Sequence, residues 1–221
     1  MAVLKWDEVG KRLYETGVSK GVLFTQKPDG TYNPGVPWSG LVSVKKSPDG
    51  GEETPFYADN MKYLSLFSAE NLKGSIDAFT YPVEFEACDG SQTAAAGIYV
   101  PQQNRVPFAL AWSTVVGNDT VGNTYGEKIH IIYNAKVSPA ERAYETINDS
   151  PQAITFSWNF TTTPINLSDI GLAPAAGLVF DKSLVSVNGW KALTDKLYGN
   201  ATTGVSGIGT PQEMINLAKV A

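Results

Sequence analysis

The chain has 221 residues, a formal net charge of -5 and one cysteine, Cys88. That length builds a core without metals or disulfides, and a single thiol rules out an intrachain disulfide framework. The 17 Lys and Arg, scattered through an acidic chain, argue against an electrostatic grip on nucleic acid.

Glycines, prolines and aromatic residues alternating with short apolar runs predict a mainly β protein, because rings and β-branched side chains suit pleated surfaces while Gly and Pro punctuate them. The first residues carry acids and a Trp and do not read as a secretion signal. No run of 18 apolar residues is present to span a bilayer. The first strand is expected at 18–25, and the turn Lys27-Pro28-Asp29-Gly30 leads toward a second at 38–46. Residues 45–55, KKSPDGGEETP, are charged and rich in turn formers, so they predict an exposed loop or a hairpin extension. An Asx turn is expected at Asp59-Asn60. Residues 71–81 then form a strand with Leu72, Gly74, Ile76 and Ala78 on one side and Lys73, Ser75, Asp77, Phe79 and Tyr81 on the other.

Pro82 opens one or two helical turns that Asp89-Gly90 would end. A short strand at 98–100, a hairpin over 105–136 with a polar loop at 117–126, and a short helix or bulged crossover from Ser138 to Ile147 follow. The turn at 148–151 feeds the most regular strand, 152–163. Its Ile154, Phe156, Trp158 and Phe160 point one way, and Thr155, Ser157, Asn159 and Thr161 point the other. The first row is built for a core; the second suits water, a neighbouring subunit or a wet channel. An edge strand is expected at 176–181. Trp190, Leu193 and Leu197 give residues 188–198 one apolar helical face. The glycine-rich stretch 199–209 reads as flexible, and Thr210-Pro211-Gln212-Glu213 caps a last short helix that needs something to pack on. The expected division is a β domain over 1–199, with a long loop at 44–57, and a C-terminal extension over 200–221.

Catalytic and metal-binding patterns are sparse. The lone His130 reads as a sheet residue, one Cys and one His are a poor supply of zinc ligands, and no nucleophile elbow, dinucleotide fingerprint or phosphate-binding loop occurs. Glu84, Glu86 and Asp89 could in principle pair as glycosidase carboxylates, but their turn setting favours a solvated role. No cofactor and no enzymatic activity are expected. The exposed rings keep a carbohydrate-binding β-sandwich module open as the alternative, with a hydrolase a distant third.

An ordered series of motifs goes further: G-x-Y-x-x-G-V-x-W-x-G-L at 30–41, Y-A-D-N-x-K-Y at 57–63, Y-P-x-E-F-x-x-C-D-G at 81–90 and Q-Q-x-R-x-x-F at 102–108. It continues with G-N-D-x-x-G at 117–122, Y-G-x-K-I-H at 125–130 and N-D-S-P-x-A-I-T-F-S-W at 148–158. Over roughly residues 1–200 the series resembles the major tail protein, or tail tube protein, of long-tailed non-contractile phages and prophages of Gram-positive bacteria. The resemblance implies a two-sheet β-sandwich or half-barrel with a flanking helix, either 82–88 or 188–198. It also implies hexameric rings stacked into a tube for genome ejection, located in the virion after assembly in the host cytoplasm. The implied partners are further copies, the tape measure protein, and the tail terminator and distal tail proteins. DNA would pass without specific binding, and the chain itself would not bind membrane. Carried onto this sequence, the ring-stacking loop would hold Lys45, Lys46, Asp49, Glu52, Glu53, Phe56 and Tyr57. Thr155, Ser157, Asn159 and Thr161 would face the lumen or a neighbouring subunit, and a lumen of small polar and acidic side chains would repel phosphate. Candidates for the lining are 38–46, 63–81 and 152–163.

Overall fold

The computed structural model describes residues 3–147, 149, 153–200, 202 and 204–220. The turn expected at 148–151 and the start of the strand expected from 152 fall largely outside them. The chain is 49% strand and 14% helix, and its strands are β1 (Leu13–Thr25), β2 (Val36–Trp38), β3 (Leu41–Gly50), β4 (Glu53–Ala58), β5 (Met61–Phe67), β6 (Glu70–Ala78), β7 (Gln92–Ala95), β8 (Ile98–Val100), β9 (Phe108–Asn118), β10 (Gly122–Val137), β11 (Phe156–Thr162), β12 (Ile165–Leu167), β13 (Leu172–Ala175) and β14 (Gly177–Asp181). The helices are α1 (Glu86–Asp89), preceded by a 3-10 turn over Val83–Phe85, α2 (Val187–Tyr198) and α3 (Pro211–Ala218).

Eight strands form one antiparallel sheet in the order β2-β1-β9-β10-β11-β6-β3, with β14 also paired to β10. The sheet curls until β3 meets β1. Inside the curl lies a core of Leu23, Leu110, Trp112, Ile132, Trp158, Phe160 and Ile76, closed at one end by Trp38, Phe85 and Cys88. Its rings pack edge to face, with Phe85 5.0 Å from Trp158 and Tyr81 5.3 Å from Trp158 between centroids. The outer face of β1, β9 and the first half of β10 carries a second core, where Ala109, Ala111, Ile129, Ile131 and Tyr133 meet Trp190, Leu193 and Leu197 of α2 and Met214 of α3. Small alanines on β9 let the helices approach. This is the expected half-barrel, and helical segments flank it at both proposed places: 82–88 plugs the inner core and α2 covers the outer wall.

β10 turns the corner. It pairs β14 from Lys128 to Ile132 and β11 from Ala135 to Val137, and between them Asn134 adopts φ +48 and shifts the register against β9. That bulge exchanges which residues face inward, so that Ile129, Ile131 and Tyr133 serve the outer core while Ala135 and Val137 join the inner one.

Several expectations need correction. The 117–126 loop shrinks to a tight turn, because β9 runs to Asn118 and β10 starts at Gly122, with Asn118 Oδ1 accepting from the Thr120 and Val121 amides. Residues 138–147 form no helix. The segment is pinned instead by Arg142, whose guanidinium pairs with Asp89 and lies over the rings of Tyr81 and Phe156. Ile154, expected inside, is 40% exposed because the strand begins only at Phe156. Of residues 44–57, expected as a long loop, 44–50 belong to β3 and 53–57 to β4, so the hairpin extension also expected for 45–55 is the alternative that forms.

Candidate assembly surface

From Phe156 to Thr162 burial alternates strictly, with Trp158 and Phe160 inside and Ser157, Asn159 and Thr161 outside. Pairing extends this outer row across the sheet. Ser157 stands opposite Asp77, Asn159 opposite Ser75 and Thr161 opposite Lys73. On the far side of β6, Ser43, Lys45 and Ser47 of β3 oppose the same three residues. Asp77 is the anchor of the face: it accepts from Ser43 Oγ (2.5 Å), Ser157 Oγ (2.7 Å) and Lys45 Nζ (3.3 Å). These donors, Ser43 first and Ser157 second, hold its carboxyl below the ordinary aspartate value. Gly74, on the opposite side of β6, is required by crowding, because a Cβ there would lie 1.9 Å from the Lys45 carbonyl oxygen and 2.6 Å from the Phe160 ring.

Thr155 is exposed but precedes β11, so it does not share the ladder of the other three residues. Nor is the face acidic, as a phosphate-repelling lining would require. It carries Lys45, Lys73 and, beside Thr161, Lys136. Two of these cations are matched within the chain: Lys45 with Asp77 at 3.3 Å and Lys73 with Asp49 at 2.7 Å. The face is therefore polar and nearly charge-balanced.

The strands β3 and β6 continue beyond the sheet into the hairpin β4-β5, which pairs with no other strand among the described residues. Asp59 and Asn60 at its tip have φ of +52 and +62, the two consecutive left-handed residues of a type I′ turn, where Asp and Asn tolerate what most side chains resist. Phe56, Tyr57, Met61, Tyr63, Leu66 and Phe67 are all exposed along the ribbon, Tyr57 and Tyr63 to 71%. An isolated two-stranded ribbon is marginal in water, and an apolar surface of this kind marks a contact.

The seven residues grouped as a ring-stacking loop are consequently divided. Strand alternation sends Lys45 to the polar face and Lys46 into the mouth of the half-barrel, Asp49 ends β3 in its ion pair, Glu52 marks the junction, and Glu53, Phe56 and Tyr57 ride on the arm, where Glu53 pairs with Lys62.

At the barrel mouth lies a polar cluster that the sequence did not reveal. Lys46 Nζ is 3.3 Å from Nδ1 of His130, whose ring stacks on Trp112 with centroids 5.3 Å apart. His130 Nε2 lies 3.0 Å from both Glu15 Oε1 and Thr114 Oγ1, Thr114 Oγ1 donates to Glu15 Oε1 at 2.6 Å, and Lys128 Nζ donates to Glu15 Oε2 at 2.9 Å. The Thr114 hydroxyl spends its proton on Glu15, so Nε2 carries the imidazole proton and Nδ1 accepts from Lys46. Burial, then Lys46, pushes the His130 pKa down, which keeps the ring neutral. Hydrogen bonds from Thr114 and then Lys128 bring Glu15 to about 2. Acid and hydroxyl meet the same ring nitrogen, whereas a nucleophile relay needs them on opposite nitrogens; the cluster is a closed network, not a relay. The alternation Lys128, His130 along β10 was visible in the sequence, but Glu15 joins from a strand 115 residues away.

Among the described residues no group of three or more His, Cys, Asp or Glu could hold a metal, and no helix is long and apolar enough to cross a membrane. A curled sheet with one polar face and, among the described residues, an exposed apolar arm that no other strand pairs with is the architecture that carries the candidate surface. The chain belongs to the phage tail tube protein family, whose sequence model matches residues 29–176, more than half of its length. It is thus a structural component of the phage tail, in a family that assembles into a tube with other tail proteins. The match is narrower than the resemblance over 1–200, leaving out β1, β14, α2 and α3. No curated protein matches the chain.

Proposed function

We propose that six copies of this chain close into a ring and that rings stack into the tail tube through which the genome is ejected. In this reading the row Ser157, Asn159 and Thr161, with Ser75, Asp77, Lys45 and Lys73, faces the lumen or an adjoining subunit. The arm carrying Glu53, Phe56 and Tyr57 bridges successive rings, and Asp49 and Glu52 lie at its root. The observation that supports the reading is the pairing, in one molecule, of a sheet face whose paired row is Ser, Asp, Asn, Thr and Lys with an exposed apolar ribbon that no other described strand pairs with. Charge balance on the sheet face suits passage of DNA: each lysine already matched to a carboxylate releases few counterions on meeting phosphate, so the duplex slides. Its partners in this reading are further copies of the chain, the tape measure protein, and the tail terminator and distal tail proteins. Assembly would take place in the host cytoplasm.

Negative-stain electron microscopy of the concentrated protein tests this directly. Hollow tubes with a regular ring repeat are expected. Monodisperse monomers at every concentration, together with affinity for glycans, would replace the reading with that of a carbohydrate-binding module.

A further inference from the structure

The end of α1 and the irregular segments 101–105 and 139–144 line an open cleft of about 730 Å³ whose walls include Arg105, Arg142, Asp89, Ser91, Gln103 and Tyr144. Arg142 is engaged by Asp89 and by the Tyr81 hydroxyl. Arg105 is not: its Nε is buried with no hydrogen-bond partner, and the arginine ion pairs among the described residues are those of Arg12 and Arg142. Its guanidinium is held against Gly90, which ends α1 at φ +86; a Cβ there would come within 3.1 Å of Arg105 Cζ. Two guanidiniums against one carboxylate leave the cleft a positive charge in excess in a chain of net -5. A half-buried cation lacking an acceptor is costly unless an anion completes it.

The arm supplies a matching anion. Asp49 of β3 and Glu53 of the arm are taken up by Lys73 and Lys62, whereas Asp59 stands exposed at the tip. With about 3.3 Å per residue, the six residues of β4 give the ribbon a length of roughly 20 Å from the end of β3 to that tip. We infer that the Arg105–Arg142 cleft is the receptor for the arm of a second copy, with the Asp59 carboxylate completing Arg105. This rests on the proposed stacking of copies through the arm and names where the arm lands. Guanidinium and carboxylate form charge-assisted, directional hydrogen bonds, so the contact would fix register between rings while the apolar ribbon supplies area.

The test is a double-mutant cycle on tube growth, read as the protein concentration at which light scattering and microscopy first detect tubes. Arg105→Gln removes the charge; Asp59→Asn does the same and keeps a residue that tolerates the left-handed turn. Each single change is expected to raise the threshold about tenfold, and the double variant should do no worse than either single, since both remove one interaction. Monomer circular dichroism and melting temperature should stay at wild-type values. Thresholds unchanged in the singles, or multiplying in the double to about a hundredfold, would overturn the contact while leaving the tube reading intact. DNA binding by the monomer that vanishes in Arg105→Gln, with assembly unaffected, would also overturn it, in favour of a phosphate site. A wild-type protein that never forms tubes would overturn the reading on which the contact rests, and the contact with it.

Discussion

Ser157 and Trp158 are adjacent in sequence and face opposite ways, so substitutions at the two should fail in opposite manners. Trp158 is 1% exposed and touches Trp38, Tyr81, Phe85 and Phe156. Truncation to Ala removes the ring at the centre of that cluster, and the surrounding aromatics cannot collapse into the space. Trp158→Ala should therefore cost about 3–5 kcal/mol, a large part of the total stability of a domain. Ser157 gives up one hydrogen bond, to Asp77, in partial contact with water, so Ser157→Arg should cost at most about 1 kcal/mol, less if the new guanidinium pairs with Asp77. Urea denaturation followed by far-ultraviolet circular dichroism measures both, and electron microscopy of concentrated protein measures assembly. The expected result is a folded Ser157→Arg monomer that assembles poorly or, in the virion, ejects DNA poorly, beside a Trp158→Ala protein already failing as a monomer. Normal tubes and infectivity with Ser157→Arg would place the polar face on open solvent. Equal destabilisation by the two changes would contradict the assigned strand orientation.

Gly74→Ala should destabilise by about 3 kcal/mol, because the new methyl meets the Lys45 carbonyl and must push β3 from β6; a melting temperature within a degree of wild type would refute the close approach. Acid should weaken the monomer in two stages. His130, with its pKa lowered in the fold, costs stability as pH falls below its unfolded value near 6.5, because the unfolded chain takes up the proton first. Glu15, lowered from 4.5 to about 2, contributes stability that is present above 4.5 and lost as pH falls toward 2; solvent screening limits it to about 1 kcal/mol. Urea midpoints measured from pH 8 to pH 3 should show the upper stage disappear in His130→Gln and the lower stage shrink in Glu15→Gln, with the part due to Asp77 and the other lowered carboxylates remaining. Cys88, buried and with its thiol pushed up to about 12 by burial and then by Asp89, should resist a thiol reagent at pH 8 until the protein unfolds; rapid labelling of the native protein would contradict its burial.

Much of the sheet was legible because two-residue periodicity is a local property. Residues 156–162 and 71–78 carry their orientation in their own side chains, and the helical face of Trp190, Leu193 and Leu197 likewise marks which side meets the sheet. In residues 44–57 Pro, Asp and Gly fit a loop and a hairpin extension equally well, and the strands form. In β3, Pro48 and Gly50 lie on an edge strand with β6 as its sole ladder partner, where a missing donor does little harm. Lys46 was assigned to the same surface as Lys45, although alternate strand positions face opposite ways. The barrel-mouth cluster and the Arg105 cleft were out of reach, since each joins residues from distant segments of chain and neither leaves a spacing to recognise. Net charge likewise says nothing about which face receives the lysines, and the 157–161 face carries three of them among its small polar residues.

β10 has a mechanical consequence. Its 16 residues run unbroken from the helix-covered wall into the polar one, hydrogen-bonded to β9 along one flank and to β14 and then β11 along the other. A force applied to either wall reaches the other along covalent backbone and ladder bonds, with no side-chain interface between them that could slip. In a flexing filament each subunit then behaves as a stiff brick, and curvature is taken up at the seams between neighbours.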